Sequence, residues 1–306
     1  MMSTQPMGGL HMFDQIFGNY LISSGKITRE QFQDVIESEG KIRVKLGLIA
    51  VAEKLMTEAQ ADEVNKLQAI MDRRFGDIAV EKGYLTEDQV TNLLKKQGNI
   101  YMVFVQTLID KGLMTLDEID AALKSYQDQQ GFTHSDMDAL VSGDVDRTVQ
   151  LFLPSNTELC DRYCGIAIRT FLRIINSKAF VSKAYFTDEL AADNFAMQLL
   201  DGDHKIYSGF SGEGDGLLAV ACPFADEEFE TVDLDALDAV GEFTNCVNGL
   251  FASELSGEGV EFDMLPPQFY ENPVKIKGNQ FCVFPIHVDG KEIKFILSID
   301  SEFAVE

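Results

Sequence analysis

The 306-residue chain is 45% hydrophobic and 25% charged, a balance that supports packed cores, argues against disorder and leaves room for two domains. Fifty acidic residues against 25 basic ones give a net charge of −25, and such a field repels nucleic-acid phosphates and anionic lipid surfaces, which excludes a sequence-independent nucleic-acid binder. No apolar run approaches the roughly 18 residues that a bilayer span needs, and Met1–Gly9 lacks a basic region followed by an apolar one, so a soluble, cytoplasmic protein is expected.

The charge is uneven. Residues 1–127 hold 14 basic and 18 acidic residues, whereas residues 128–306 hold 11 and 32, an excess that solubility explains as well as partner steering does. Five cysteines, at 160, 164, 222, 246 and 282, are odd in number and occupy apolar positions, so buried, reduced thiols are expected. Cys160 and Cys164 are neighbours on a helix, but no His or Cys cluster completes a four-ligand set, and no metal site is expected.

The first half repeats with a period of 29 residues, in segments starting at Phe17, Leu46, Phe75 and Phe104. Each has a short apolar helix, a Gly or equivalent turn, and a Thr just before a polar helical segment. Thr57, Thr86 and Thr115 are expected N-caps, because a Thr hydroxyl can accept from an otherwise orphan helical N–H. Acidic residues after Thr86 and Thr115 favour the positive end of the helix dipole, and Thr28, followed by Arg29 and Glu30, is a weaker version. Each unit is a helical hairpin too small to bury its own apolar face, so four stacked copies are needed for a core.

Lys45-Leu46-Gly47 with Gln68, and Arg74-Phe75-Gly76 with Gln97, place the same opening and closing residues at one spacing in adjacent repeats. This pattern is similar to the amino-terminal domain of secretion and pilus ATPases of the MshE type, in which basic-Leu-Gly openings and terminal Gln residues bind cyclic di-GMP. The resemblance implies Lys45, Gln68, Arg74 and Gln97 as nucleotide-binding residues. Several positions depart from it. The first repeat has Ile16 and Glu39, the fourth Val103, Val105 and Tyr126, and the central pair has Ala50, Ala61, Asn65 and Ala79 where leucines are expected. Lys45 also lacks the planar fork of Arg. A helical interaction or scaffolding module is therefore favoured over cyclic di-GMP binding.

Asp128 to Asp146 is polar, acidic and interrupted by Gly, and is expected to be a linker with one short helix near 136–141. Thr157 to Ser177 has the apolar spacing of a long helix, and Asp188 to Leu200 suggests another. Gly209 to Ala221 has a Gly-rich centre and is expected to be a hairpin turn leading into a strand. It opens no helix bearing Lys-Ser/Thr, so a phosphate-cradling loop is not expected. Gly-x-Ser-x-Gly is absent, and the four histidines, at 11, 134, 204 and 287, are scattered, which leaves Ser/His/Asp catalysis without support.

Residues 233–255 have a helical period that puts Leu237, Val240, Thr244, Val247 and Phe251 on one face, widened by Phe243, Cys246 and Leu250. A polar stripe remains, with Asp238, Glu242, Asn245, Gly249 and Ser253 at steps of three and four. Gly249 costs the helix about 1 kcal/mol relative to Ala, which is consistent with close approach by another molecule. A solvated edge of a packed helix would show the same stripe. Asn248 falls towards Gly241 and is given no role. Val260 to Pro267, and Phe281 to Ser298, alternate as strands behind the helix.

Glu242-x-x-Asn245-x-x-x-Gly249, preceded by Asp238-Ala239 and set between these strands, resembles the signature of the CheC/CheX chemotaxis phosphatases, in the single-site CheX branch. The resemblance spans roughly residues 150–300. The first long helix holds Glu158 and Asp161 but no Glu-x-x-Asn, so the two-site arrangement of CheC is not expected. The resemblance implies a phosphatase acting on the aspartyl-phosphate of a CheY-like receiver domain. Asn245 would orient the attacking water, Glu242 would pair with a receiver lysine, and Asp238 and Gly249 would lie in the partner-binding surface. The chain would need no cofactor of its own, since the receiver carries Mg2+. The family also implies a homodimer through sheet edges, to which 281–298 could contribute.

The expected architecture is multidomain: an all-α helical-hairpin repeat domain over 13–127, an acidic linker over 128–147, and an α+β CheX-like domain over 148–306, with an antiparallel sheet covered by long helices. The repeat domain would regulate or target the phosphatase. The alternative is a non-enzymatic two-component signalling adaptor whose repeats bind a protein or cyclic di-GMP.

Overall fold

The computed structural model of the chain describes residues 12–38, 44–71, 73–97, 99–154 and 157–306. Met1–Gly9, His11 and Glu39, singled out above, lie outside the described residues. Two compact units are present, one over Phe17–Ser142 and the other over Gly143–Glu306 with the described residues before Phe17. No described helix is long and apolar enough to cross a membrane.

The helical half contains four hairpins: α1 (Met12–Ser23) with α2 (Arg29–Ser38), α3 (Leu46–Ala52) with α4 (Glu58–Met71), α5 (Phe75–Glu81) with α6 (Glu87–Lys96), and α7 (Ile100–Asp110) with α8 (Leu116–Gln130). Every turn is built alike. Gly25, Lys54, Gly83 and Gly112, 29 residues apart, take left-handed φ values of 69°, 57°, 71° and 65°. Their N–H groups, and those of the next residues, return to carbonyls at the end of the first helix, as Gly83 to Val80 and Tyr84 to Ala79 do. Thr28, Thr57, Thr86 and Thr115 then cap the second helix. Each accepts from the N–H three residues on and donates its own N–H to that residue's side chain, Gln31, Gln60, Gln89 or Glu118. The Thr28 cap is as complete as the others, because the glutamine at the third helical position makes the reciprocal bond whatever residue follows the threonine.

Repeats two and three bury Ile49, Val64, Phe75, Ile78, Leu85 and Leu93 together. Repeat four, through Met102 and Val103 of α7, packs against this apolar cluster. Repeats one and four meet through α2 and α7, where Phe17 and Phe32 lie edge-on to Phe104 and Phe17 packs on Tyr126. In a linear array, each repeat would touch only its neighbours. The span read as a linker is largely helical, with the end of α8, then α9 (His134–Ser142) and α10 (Val145–Phe152). Thr133 boxes with Asp136, and Asp144 accepts from the Arg147 N–H. The division between the two units falls between Ser142 and Gly143, inside this span.

The second unit is α+β. One antiparallel sheet joins β1 (Phe180–Val181), β2 (Tyr185–Ala192), β3 (Asn194–Gly202), β4 (Ile206–Gly212), β5 (Phe262–Met264), β6 (Gln268–Tyr270), β7 (Val274–Val288), β8 (Lys291–Ile299) and β9 (Phe303–Val305). Its main order is β1-β7-β8-β4-β3-β5, with β2 and β9 also on β7 and β6 on β3. Two long helices pack on the sheet, α11 (Glu158–Ile174), capped by Thr157, and α13 (Leu234–Ser256), capped by Asp233. Aromatic rings join them: Tyr163 stacks on Phe295 of β8, and Phe171 and Phe243 both meet Phe210 of β4. The other face buries Phe195, Met197, Phe281, Val283 and Ile296.

Three expectations are corrected. Asp188–Leu200 forms β2 and β3 instead of a helix. Its residues are helix formers, but all of Asn194–Leu200 except Leu199 is buried, and burial between β4 and the short strands β5 and β6 overrides propensity. After the Gly-rich turn, Leu218–Ala225 forms helix α12 and no strand, because Leu217, Val220 and Ala221 are buried at helical spacing and Phe224 packs on Phe243. Phe281–Ser298 is interior, not an edge, since β7 and β8 pair with each other and each has another neighbour, β2 for β7 and β4 for β8.

Candidate functional site

Helix α13 carries the polar stripe on its exposed side. Asp238, Glu242 and Ser253 are exposed, and Asn245 and Gly249 are half-buried. Asn245 Nδ2 lies 3.4 Å from Glu242 Oε2. An added Cβ at Gly249 would meet nothing within 4 Å, so the surface there is open. The apolar face is rotated from the expected one. Leu237, Val240, Phe243, Thr244, Val247 and Phe251 are buried as expected, but Cys246 is exposed and so is Leu250, while Gly241 and Asn248 are buried. The segment after β5 explains this. It crosses α13 so closely that a Cβ on Gly241 would sit 2.5 Å from the Phe269 ring and 3.1 Å from Pro267. Of the five free cysteines, Cys160, Cys164 and Cys282 are buried, Cys222 is half-buried and Cys246 is exposed, so burial holds for only part of the set.

Behind the stripe lies a buried polar chain absent from the sequence expectations. Gln198 of β3 and Ser208 of β4 are paired across the sheet, on the side facing α13. Gln198 Nε2 donates to Asn245 Oδ1 at 2.9 Å and to the Leu265 carbonyl at 2.8 Å. Asn248 Nδ2 donates to Gln198 Oε1 at 2.7 Å. Asn248 Oδ1 accepts from the Ser208 hydroxyl at 3.1 Å and from the Tyr163 hydroxyl. Gln198 is 2% exposed and Asn248 fully buried, and burial raises the Tyr163 pKa, which keeps its hydroxyl protonated as a donor. Asn248, given no role above, thus connects the site to the core. The detectable signal was a carboxamide interrupting an apolar run, in Phe195-Ala-Met-Gln198-Leu-Leu and again at 248.

At the far end of α13, Arg162 of α11 forks onto Glu254 and Glu258 at 2.7–3.2 Å and fixes the two helices. Those bonds hold the Glu258 carboxyl below its ordinary pKa. Among the described residues, no group of three or more His, Cys, Asp or Glu is placed to hold a metal ion.

In the repeat unit, Lys45 pairs with Asp110 at 2.9 Å, and Gln97 donates to the carbonyl of neighbouring Val44. Gln68 and Arg74 are exposed, on α4 and just before α5. Lys45 borders a cleft of about 580 Å³ that also includes Glu58, Asp62, Asp110 and Glu118. An anionic ligand there would face four carboxylates and one ammonium.

Residues 195–287 match the family model for the chemotaxis phosphatase CheX, so the second unit is CheX-like. No curated protein matches the chain. Among solved structures, a CheC-like superfamily protein from Shewanella sp. PV-4 is 20% identical, over 47% of this chain and 99% of its own, with a TM-score of 0.40. A chemotaxis protein CheX from Desulfovibrio desulfuricans is 16% identical over the same shares, with a TM-score of 0.41. The CheX-CheY-BeF3-Mg2+ complex from Borrelia burgdorferi matches at 19% identity, again over 47% and 99%, with a TM-score of 0.36.

Proposed function

We propose that this protein hydrolyses the aspartyl-phosphate of a CheY-like receiver domain, and that the helical repeats regulate or target that activity. The observation that carries this reading is the pairing of Glu242 and the half-buried Asn245 one turn apart on the open face of α13, inside the segment that matches CheX. The stripe holds the carboxylates Asp238 and Glu242, the carboxamide Asn245, the open Gly249 and the hydroxyl of Ser253, and among the described residues no group of three or more His, Cys, Asp or Glu is placed to hold a metal ion. A surface of this kind suits a reaction that needs only positioning. Phosphoryl transfer depends mainly on aligning the attacking group and neutralising charge, and the receiver contributes its own acidic cluster and Mg2+.

In this mechanism, the receiver docks against the stripe, with Asp238 and the bare surface at Gly249 in the contact. Glu242 pairs with a receiver lysine and fixes the approach. Asn245 enters beside the phosphorylated carboxylate, and its amide holds a water in line with the scissile phosphorus–oxygen bond. Water attacks phosphorus, the aspartate oxygen leaves as carboxylate, and inorganic phosphate is released. The test is to mix the full chain with receivers phosphorylated by a small-molecule phosphodonor and follow phosphate release. Release faster than the receiver's own decay supports the reading. An unchanged decay rate across CheY-like receivers from the same organism would leave α13 as a docking surface alone.

A further inference from the structure

The polar chain behind Asn245 has a direction that the backbone sets. The Leu265 carbonyl can only accept, so the side-chain atom of Gln198 that lies 2.8 Å from it must be the nitrogen. That same nitrogen faces Asn245 at 2.9 Å, so its second hydrogen goes there and the Asn245 atom must be oxygen. The Gln198 oxygen is then left to accept from Asn248, whose own oxygen takes the Ser208 and Tyr163 hydroxyls. Turning any one amide over would set oxygen against oxygen or nitrogen against nitrogen in a site where Gln198 and Asn248 are shut away from water.

We propose that Gln198, backed by Asn248, is a positioning residue that holds the Asn245 oxygen inwards and turns its NH2 group out towards the partner. The inference rests on the reading of Asn245 as the residue that orients water. Asn245 is the catalytic residue, and Gln198 acts only through it. One outward hydrogen faces Glu242 Oε2, 3.4 Å from the amide nitrogen, and the other can bind one lone pair of the attacking water and leave its second lone pair for phosphorus. An amide free to spin would present its oxygen half the time and would spend rotational freedom in each encounter.

Gln198→Met keeps the length of the side chain and removes its donors and acceptor. The expected result is a fall of at least tenfold in the maximal rate of receiver dephosphorylation, with the half-saturating concentration of phosphorylated receiver changed less than twofold. In an Asn245→Ala background, the same substitution should cause no further fall, because a residue acting through Asn245 has nothing left to act on. A full maximal rate in Gln198→Met would overturn the proposal, and so would an equal loss in both backgrounds. Side-chain amide NMR of the unmutated protein decides the matter even where the variant fails to fold or the phosphatase reading itself fails. Both Gln198 amide hydrogens should exchange with water at least 100-fold more slowly than those of exposed Gln68. Equal exchange would refute the chain without touching the phosphatase reading, which fails separately if the unmutated protein does not accelerate phosphate loss.

Discussion

The repeat unit and the α13 site both satisfy polar groups that folding would otherwise strand, but at different distances along the chain. In the repeats, Thr86 and Gln89 serve each other across three positions, and the same exchange recurs at Thr28, Thr57 and Thr115. At the site, Asn245 takes its partner from 47 residues away, Asn248 from 50 and from 85. Local pairs can be lost singly, since each closes within one turn. The long-range chain fails as a whole, because each amide is oriented by the next. Substitutions should therefore be cheap and independent in the repeats, and costly and coupled at the site.

The largest effect is expected from Asn248→Leu. It strands the Gln198 oxygen and two buried hydroxyls, and should lower stability by about 3 kcal/mol in urea unfolding. A loss below about 1 kcal/mol would mean that the buried chain is no more than the sum of small local pairs. Asn245→Ala comes next, on rate. Dephosphorylation should slow about 100-fold, or about 2.7 kcal/mol of barrier, while stability changes by about 1 kcal/mol or less, since Asn245 is half-buried and its truncation lets water reach the Gln198 donor. An unaltered rate would remove Asn245 from the mechanism. Glu242→Ala should raise the half-saturating receiver concentration about tenfold, some 1.4 kcal/mol, with little change in the maximal rate. Loss of turnover at normal half-saturation would reverse the roles of the two residues.

The same contrast explains what the sequence disclosed. The 29-residue period, the turn glycines and the capping threonines were all legible, because each depends on neighbours within a few positions. So was the exposed stripe of α13, from helical spacing alone. Asn248 was not, because whether a carboxamide faces water or a distant glutamine depends on which segment crosses the helix. The close passage of Pro267 and Phe269 over Gly241 turned that side inwards and left Cys246 and Leu250 out. Strands β2 and β3 were hidden for a related reason. Their Ala, Leu, Glu and Met residues favour a helix locally, and only pairing with β7 and β4 makes them strands. The fourfold pattern also concealed that the first and fourth repeats meet, since repetition states what each unit is and not how the set closes.

Among the repeats, Thr86→Ala should cost about 1 kcal/mol, as should Thr115→Ala, and the double variant should lose the sum within about 0.4 kcal/mol. Clear non-additivity would show that the hairpins communicate as the α13 chain does, and the contrast would weaken.

The smallest effect tests whether the turns are as local as their period suggests. Three of the four left-handed positions are glycine, and the fourth is Lys54, at φ 57°. An L-residue there crowds its Cβ against the backbone, a cost of about 1–2 kcal/mol that glycine escapes, partly offset by the greater freedom glycine loses on folding. Lys54→Gly should therefore stabilise the protein by about 0.5–1 kcal/mol. One opposing influence is visible. The Lys54 charge draws down the pKa of Asp120, which burial otherwise raises, so the lysine also gives a weak attraction across repeats two and four. Salt separates the two contributions, since it screens the charge and leaves the backbone alone. The gain on Lys54→Gly should grow slightly between 0.05 and about 0.5 M salt as the lost attraction ceases to count. A destabilised variant at both concentrations would show that Lys54 is held by contacts beyond its own turn, and the repeats would then share the long-range character of the site.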